Sequence, residues 1–218
     1  MKKLIYILTF SLVACSGEPT LVEEQLKHED SETHKDSVEV MDTIKQEVAA
    51  TEKRMHLDED FMAFYQKFTQ AIIDKDLDKT NECIHPDGLY FIETDGAMPH
   101  LQKVYDVKAF KTNKPTTFFN LSYIEIEKQP VFETLPKAIC AGEVYDKYGC
   151  FAEEVNTLKE SGIWNYSGFN EKEIQAVQAA AENINLTVRN TQNFTYYFSK
   201  TEQGWKLIFM DIRTPCSA

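Results

Sequence analysis

The sequence predicts an α+β protein, a mostly antiparallel sheet wrapped by N-terminal helices after a disordered tether. Three observations carry this. No Phe, Tyr or Trp stands between Phe10 and Phe61, whereas aromatic residues are dense beyond that point, which places one folded domain at 58–218. Phe61, Phe64, Tyr65, Phe68, Ala71 and Ile72 recur at the three-and-four spacing of a single helical face. Phe194, Tyr196 and Phe198 alternate, and the turn Glu202-Gln203-Gly204 leads into Trp205-Lys206-Leu207, the pattern of a terminal β-hairpin. About 160 residues are enough for a single hydrophobic core.

Asp58 can cap the first helix, with Glu59 and Asp60 favouring its positive end. A second short helix is expected over Leu77–Ile84. His85-Pro86-Asp87-Gly88 follows as a turn, expected at the surface. Leu89–Glu93 reads as a strand and Tyr105–Lys111 as one or two helical turns. Alternation over Phe118–Glu127 predicts a long strand, and Val131-Phe132 and Ala138–Val144 two shorter ones. Glu153–Lys159 is expected to be helical and Ser161–Gly168 a loop, with Asn170 capping a helix through Ala181. Asn185–Lys200 reads as one long strand and Trp205–Ile212 as its partner.

The N-terminus carries an export signal. Lys2 and Lys3 precede an apolar run, Leu4–Leu12, broken only by Thr9 and Ser11. This is shorter than the roughly 20 residues of a membrane span and has the length of a cleavable signal core. Leu12-Val13-Ala14-Cys15 resembles the bacterial lipobox. That resemblance implies removal of 1–14 and attachment of diacylglyceryl to the Cys15 thiol as a thioether. It places the protein in the bacterial cell envelope, held to the membrane through its lipid anchor. Ser16, where inner-membrane lipoproteins often carry Asp, implies the outer membrane. Residues 15–57 form the acidic tether, too polar to offset ordering entropy. A coil of that length reaches about 35 Å. Val38, Met41, Ile44, Val48 and Met55 fall at helical spacing, so a partner-induced helix is the alternative there. Asp36-Ser37-Val38 and Asp42-Thr43-Ile44 resemble a bacterial O-glycosylation pattern, which makes Ser37 and Thr43 candidate sites.

The formal charge is −12, and loss of 1–14 removes two lysines and no acid, leaving −14. Such a surface argues against nucleic acid and against adsorption to anionic lipid, so membrane attachment falls to the lipid anchor. Besides Cys15 the chain has Cys83, Cys140, Cys150 and Cys216, an even set that permits two disulfides in an exported protein. The nine residues between Cys140 and Cys150 end in Lys147-Tyr148-Gly149, which can reverse the chain. This favours Cys140–Cys150 and leaves Cys83–Cys216. Buried thiols are the alternative.

Phe61-Met62-Ala63-Phe64-Tyr65, Ile84-His85-Pro86-Asp87-Gly88-Leu89 and Gly204-Trp205-Lys206-Leu207 resemble the nuclear-transport-factor-two-like (SnoaL-like) superfamily over 58–213, with 145–183 matching poorly. The resemblance implies a curved, cone-shaped (cystatin-like) sheet around an internal pocket. It does not fix an activity, because this fold hosts enzymes and binders alike. Enzymes of the superfamily use a pocket Asp or His as base. The available groups are His85, Asp87, Glu93, Asp95, His100 and Asp211, none in a sequence context that marks it as catalytic. The spacing of His85, Asp87, Asp95 and His100 matches no zinc pattern. Asp74, Asp76 and Asp78 lack the Gly and Glu of a calcium loop, with Lys79 and His85 in those places. No metal and no cofactor is expected. The leading expectation is a non-catalytic binding or scaffolding domain for an envelope protein or a small-molecule ligand. The rival is a small-molecule enzyme of the SnoaL or ketosteroid-isomerase type.

Overall fold

The computed structural model describes residues 59–95, 98–112, 116–122, 126, 129–141, 143–213 and 215–216. Cys15, Ser37 and Thr43 lie outside them, as do the signal and the tether.

Residues 59–73 form helix α1. Phe61, Tyr65, Phe68 and Ile72 line one face and are fully buried, as their spacing predicts. The chain leaves the helix through Lys75 in the left-handed region (φ 54°). Asp76 then caps α2 (Leu77–Cys83), accepting from the Lys79 backbone N–H at 3.1 Å. At the turn that follows, Gly88 adopts φ 101°, and a Cβ there would lie 3.0 Å from the Val104 carbonyl.

Strands β1 (Leu89–Asp95) and β2 (Met98–Val104) form a hairpin. A 3₁₀ turn (Val107–Ala109), helix α3 (Phe118–Ser122) and strand β3 (Val131–Phe132) come next. Strands β4 (Ala138–Ala141) and β5 (Glu143–Tyr145) make a separate two-stranded sheet. After β6 (Cys150–Glu153) come a second 3₁₀ turn (Ile163–Tyr166) and α4 (Glu171–Glu182). Asn170 and Glu173 form a reciprocal capping box on α4, a feature worth about 1 kcal/mol. Strands β7 (Leu186–Asn190), β8 (Thr195–Thr201) and β9 (Gly204–Asp211) complete the chain.

The main sheet runs β2-β1-β9-β8-β7-β6-β3 and is open and mixed. The pairs β1–β9 and β3–β6 are parallel and the others antiparallel. Successive side chains of a strand face opposite ways. Tyr196 and Phe198 of β8 therefore join the cluster of α1, with Trp205, Leu207 and Met210 of β9. Tyr197 joins the opposite cluster, formed by Val177, Ala180 and Ala181 of α4 with Tyr90, Ile208 and Phe209. A bulge opposite Tyr197/Phe198 lets Ile208 and Phe209, though consecutive, reach the same cluster. Both faces of the central strands are thus covered, α1 on one side and α4 on the other.

Several expectations are corrected. Phe118–Ser122 is helical rather than extended: Thr117 accepts the backbone N–H of Asn120 on its hydroxyl and of Leu121 on its carbonyl. Phe118 is anchored against Phe91 and Phe110. Asn185–Lys200 is two strands, because Asn190 accepts Gln192 N–H on its side chain and Asn193 N–H on its carbonyl, closing a turn. Residues 138–144 likewise divide between β4 and β5. Residues 153–159 are not helical: Asn156 binds back to the Leu158 and Lys159 N–H groups in an Asx turn. His85 is only 9% exposed, while Asp87 beside it stands in solvent. The expected surface turn is therefore buried at its first residue.

The disulfide joins Cys140 to Cys216, with Cα atoms 5.4 Å apart, and not Cys140 to Cys150 or Cys83 to Cys216. Cys83 and Cys150 are buried thiols in the α1-side core. The physical reason is placement. Cys150 sits on the main sheet with its Sγ 3.8 Å from the Tyr65 hydroxyl, whereas Cys140 is exposed on the separate β4–β5 hairpin.

Candidate functional site

The register of β7, β8 and β9 sets Arg189 opposite Thr195 and Thr195 opposite Asp211. Three consecutive strands therefore present one lateral row of polar side chains. These flank a cavity of about 440 Å³. Thr94 of β1 and Pro99 of β2 add to one wall, Ala138 and Tyr145 come from the β4–β5 hairpin, and Pro215 and Cys216 come from the C-terminal tail. The disulfide ties that tail to the hairpin beside the cavity. Thr195 shares the face of Tyr197, so the row lies on the α4 face of the sheet, opposite α1.

The charges are organised. Arg213 folds back on Asp211, donating from its backbone N, Nε and Nη2 at 3.1, 2.8 and 2.6 Å. This charge-assisted fork holds the Arg213 guanidinium above its ordinary range. Asp211 is 13% exposed at its side chain. Arg189 donates from Nε to the Thr195 hydroxyl at 3.3 Å and from Nη1 to the Pro136 carbonyl at 2.6 Å. Among the described residues it has no carboxylate partner. Burial pushes the Tyr145 hydroxyl up from its ordinary value, and that of Tyr197 on the same face of the sheet up to about 12.

A second cavity, of about 550 Å³, lies between Tyr90 and Lys103 of the β1–β2 hairpin and the start of α4. There the Lys103 ammonium stands 4.9 Å from the Tyr90 ring centroid and 5.2 Å from that of Tyr105. This cation is already engaged by two aromatic faces.

Of the acid–base candidates whose side chains are described, only Asp211 lines the first cavity. His85 accepts the Asp87 backbone N–H on Nδ1 at 3.1 Å, and burial lowers its pKa, so the ring is neutral. Glu93 is half-buried on β1, Asp95 ends that strand, and His100 is exposed on β2. Asp76 of the acidic run serves as the α2 cap. Among the described residues no group of three His, Cys, Asp or Glu could hold a metal, and no helix is long and apolar enough to cross a membrane.

Arg189, Arg213 and Tyr145 are the site residues that sequence reasoning missed. One signal was present: the chain has three arginines, and two of them fall in its last thirty residues. Reading 185–200 as a single strand hid the pairing that sets Arg189 opposite Thr195, in one row with Asp211. No family model matches this chain, and neither a curated protein nor a solved structure matches it.

Proposed function

We propose that this protein is a lipid-anchored lipoprotein of the bacterial envelope, held through Cys15 at the outer membrane, whose domain binds a small molecule without transforming it. The observation that carries the binding reading is the Arg189–Thr195–Asp211 row at a cavity of about 440 Å³, within the size range of small-molecule sites. The one carboxylate among its described lining residues takes three donors from Arg213, an arrangement that holds a charge in place rather than readying a base to accept a proton. The signal-like N-terminus and the lipobox-like tetrapeptide support the anchor. The finer fold reading is the cone of the nuclear-transport-factor-two-like superfamily. It is supported by α1 packed along one face of the sheet and by the terminal β8–β9 hairpin. The described cavity lies on the other face from α1, outside the space such a cone would enclose.

Two measurements test this. Cys15→Ser should leave the chain unprocessed or soluble; a processed variant still held by salt-washed membrane would remove the lipid anchor. Native mass spectrometry of protein drawn from its own membrane should show a bound small molecule. A protein partner in its place would move the function to scaffolding.

A further inference from the structure

Resting on the binding reading above, we propose that the cavity at the ends of β7, β8 and β9 recognises a singly charged carboxylate, with the Arg189 guanidinium as receptor.

Among the described residues, the cavity lining holds two guanidinium groups and one carboxylate. Arg213 and Asp211 neutralise each other through their fork. Arg189 is then one positive charge in excess, in a chain whose net charge is −12. Its contacts explain how it is kept there. Thr195 and Pro136 are neutral acceptors, so they fix the orientation of the group without compensating it. Among the described residues, Nη2 is left to donate to a ligand. A planar guanidinium matches the two oxygens of a carboxylate. Tyr145, whose phenol is a neutral hydrogen-bond donor, lines the same space. A doubly charged phosphate fits less well, because its second charge would face the Asp211 carboxylate, and among the described lining residues the one further cation, Arg213, is already paired with that carboxylate. Pro99, Ala138 and Pro215 give the remaining wall an apolar character suited to a short hydrocarbon body.

The three arginines make the test direct, since their Nε–Hε resonances in the full-length protein can be assigned from Arg189→Met and Arg213→Lys spectra. The probes are hexanoate, its uncharged isostere hexanamide, inorganic phosphate, and the tripeptide acetyl-Gly-Ala-Ala with a free C-terminus. Saturable movement of the Arg189 resonance is expected with hexanoate at about millimolar concentration and not with hexanamide. Arg189→Met should weaken that binding by about 10–100-fold. Tighter binding of the tripeptide would assign the carboxylate to a peptide end, and tighter binding of hexanoate to a free acid. Equal response to hexanoate and hexanamide, stronger binding of phosphate, or no movement with either carboxylate would overturn the proposal. The hexanoate and hexanamide comparison uses the unaltered protein, so it stands even if Arg189→Met disturbs the fold. Equal binding of the amide would leave the binding reading intact. Conversion of a bound acid to a new product would sink the non-catalytic reading without touching charge recognition.

Discussion

Replacing Phe61 by Ala tests whether α1 belongs to the core. Phe61 is fully buried, and its ring meets Phe198 at 5.1 Å, Trp205 at 5.2 Å and Phe132 at 6.0 Å, each close to edge-on. A buried Phe→Ala change costs about 3–5 kcal/mol, from lost transfer energy and the cavity left behind. The surrounding rings are themselves packed against one another, so the site cannot collapse easily, and the upper half of that range is expected. For a chain of this length each kcal/mol lowers the melting midpoint by roughly 2–4 °C, so the midpoint should fall by on the order of 8–20 °C. That is a large share of the about 5–15 kcal/mol that holds such a domain together. The assay is urea unfolding followed by tryptophan fluorescence, with Tyr166→Ala as control. Tyr166 is 59% exposed. Its loss should stay within about 0.5 kcal/mol. A double-mutant cycle with Phe198→Ala should show a coupling of about 0.5–1.5 kcal/mol. If Phe61→Ala cost no more than the control, α1 would not be part of the core and the packing derived above would be wrong.

Peptide mapping of never-reduced protein should recover Cys140 joined to Cys216, with Cys83 and Cys150 alkylated only after unfolding; a Cys140–Cys150 peptide would refute the pairing. The bridge spans 76 positions. Cys216→Ser should cost less than the roughly 4.5 kcal/mol of the loop-closure limit, since the released tail also regains freedom in the folded state. His85 supplies a pH signature. Burial holds its folded pKa below the ordinary value, so between the two values the unfolded chain binds more protons. Its contribution is full above about pH 6.5 and is lost as pH falls through the folded value. Melts at neutral and mildly acidic pH should therefore show a steeper loss for the native protein than for His85→Asn, whose side-chain oxygen can still accept the Asp87 N–H. Parallel slopes would remove the role of His85.

Local chemistry was legible wherever neighbours in sequence decide the structure. The stripe from Phe61 to Ile72 makes α1 because residues three and four apart share a helical face, whatever they later pack against. Asn170 with Glu173 announces the start of α4 because a cap needs only its own first turn. Gly204 marks the β8–β9 turn for the same kind of reason, its φ of 93° suiting a residue without Cβ. Where two local readings competed, packing chose. Phe118 and Phe119 suit a strand or a helix, and the contacts of Phe118 with Phe91 and Phe110 accompany the helical one. Both conformations satisfy the backbone, so a short apolar run does not decide between them.

What the sequence determined by itself is the α+β class, the long helices, the terminal hairpin and the acidic surface charge. Each of these depends on contacts within a few residues or on composition alone. The tertiary structure decided the order of the main sheet, the partner of each cysteine and the site. Arg189, Thr195 and Asp211 become neighbours only through the register of three strands, and Cys140 meets Cys216 across 76 positions. Such juxtapositions leave no periodic trace, because a strand's pairing partner is selected by the burial of both its faces across the whole domain and not by any residue beside it.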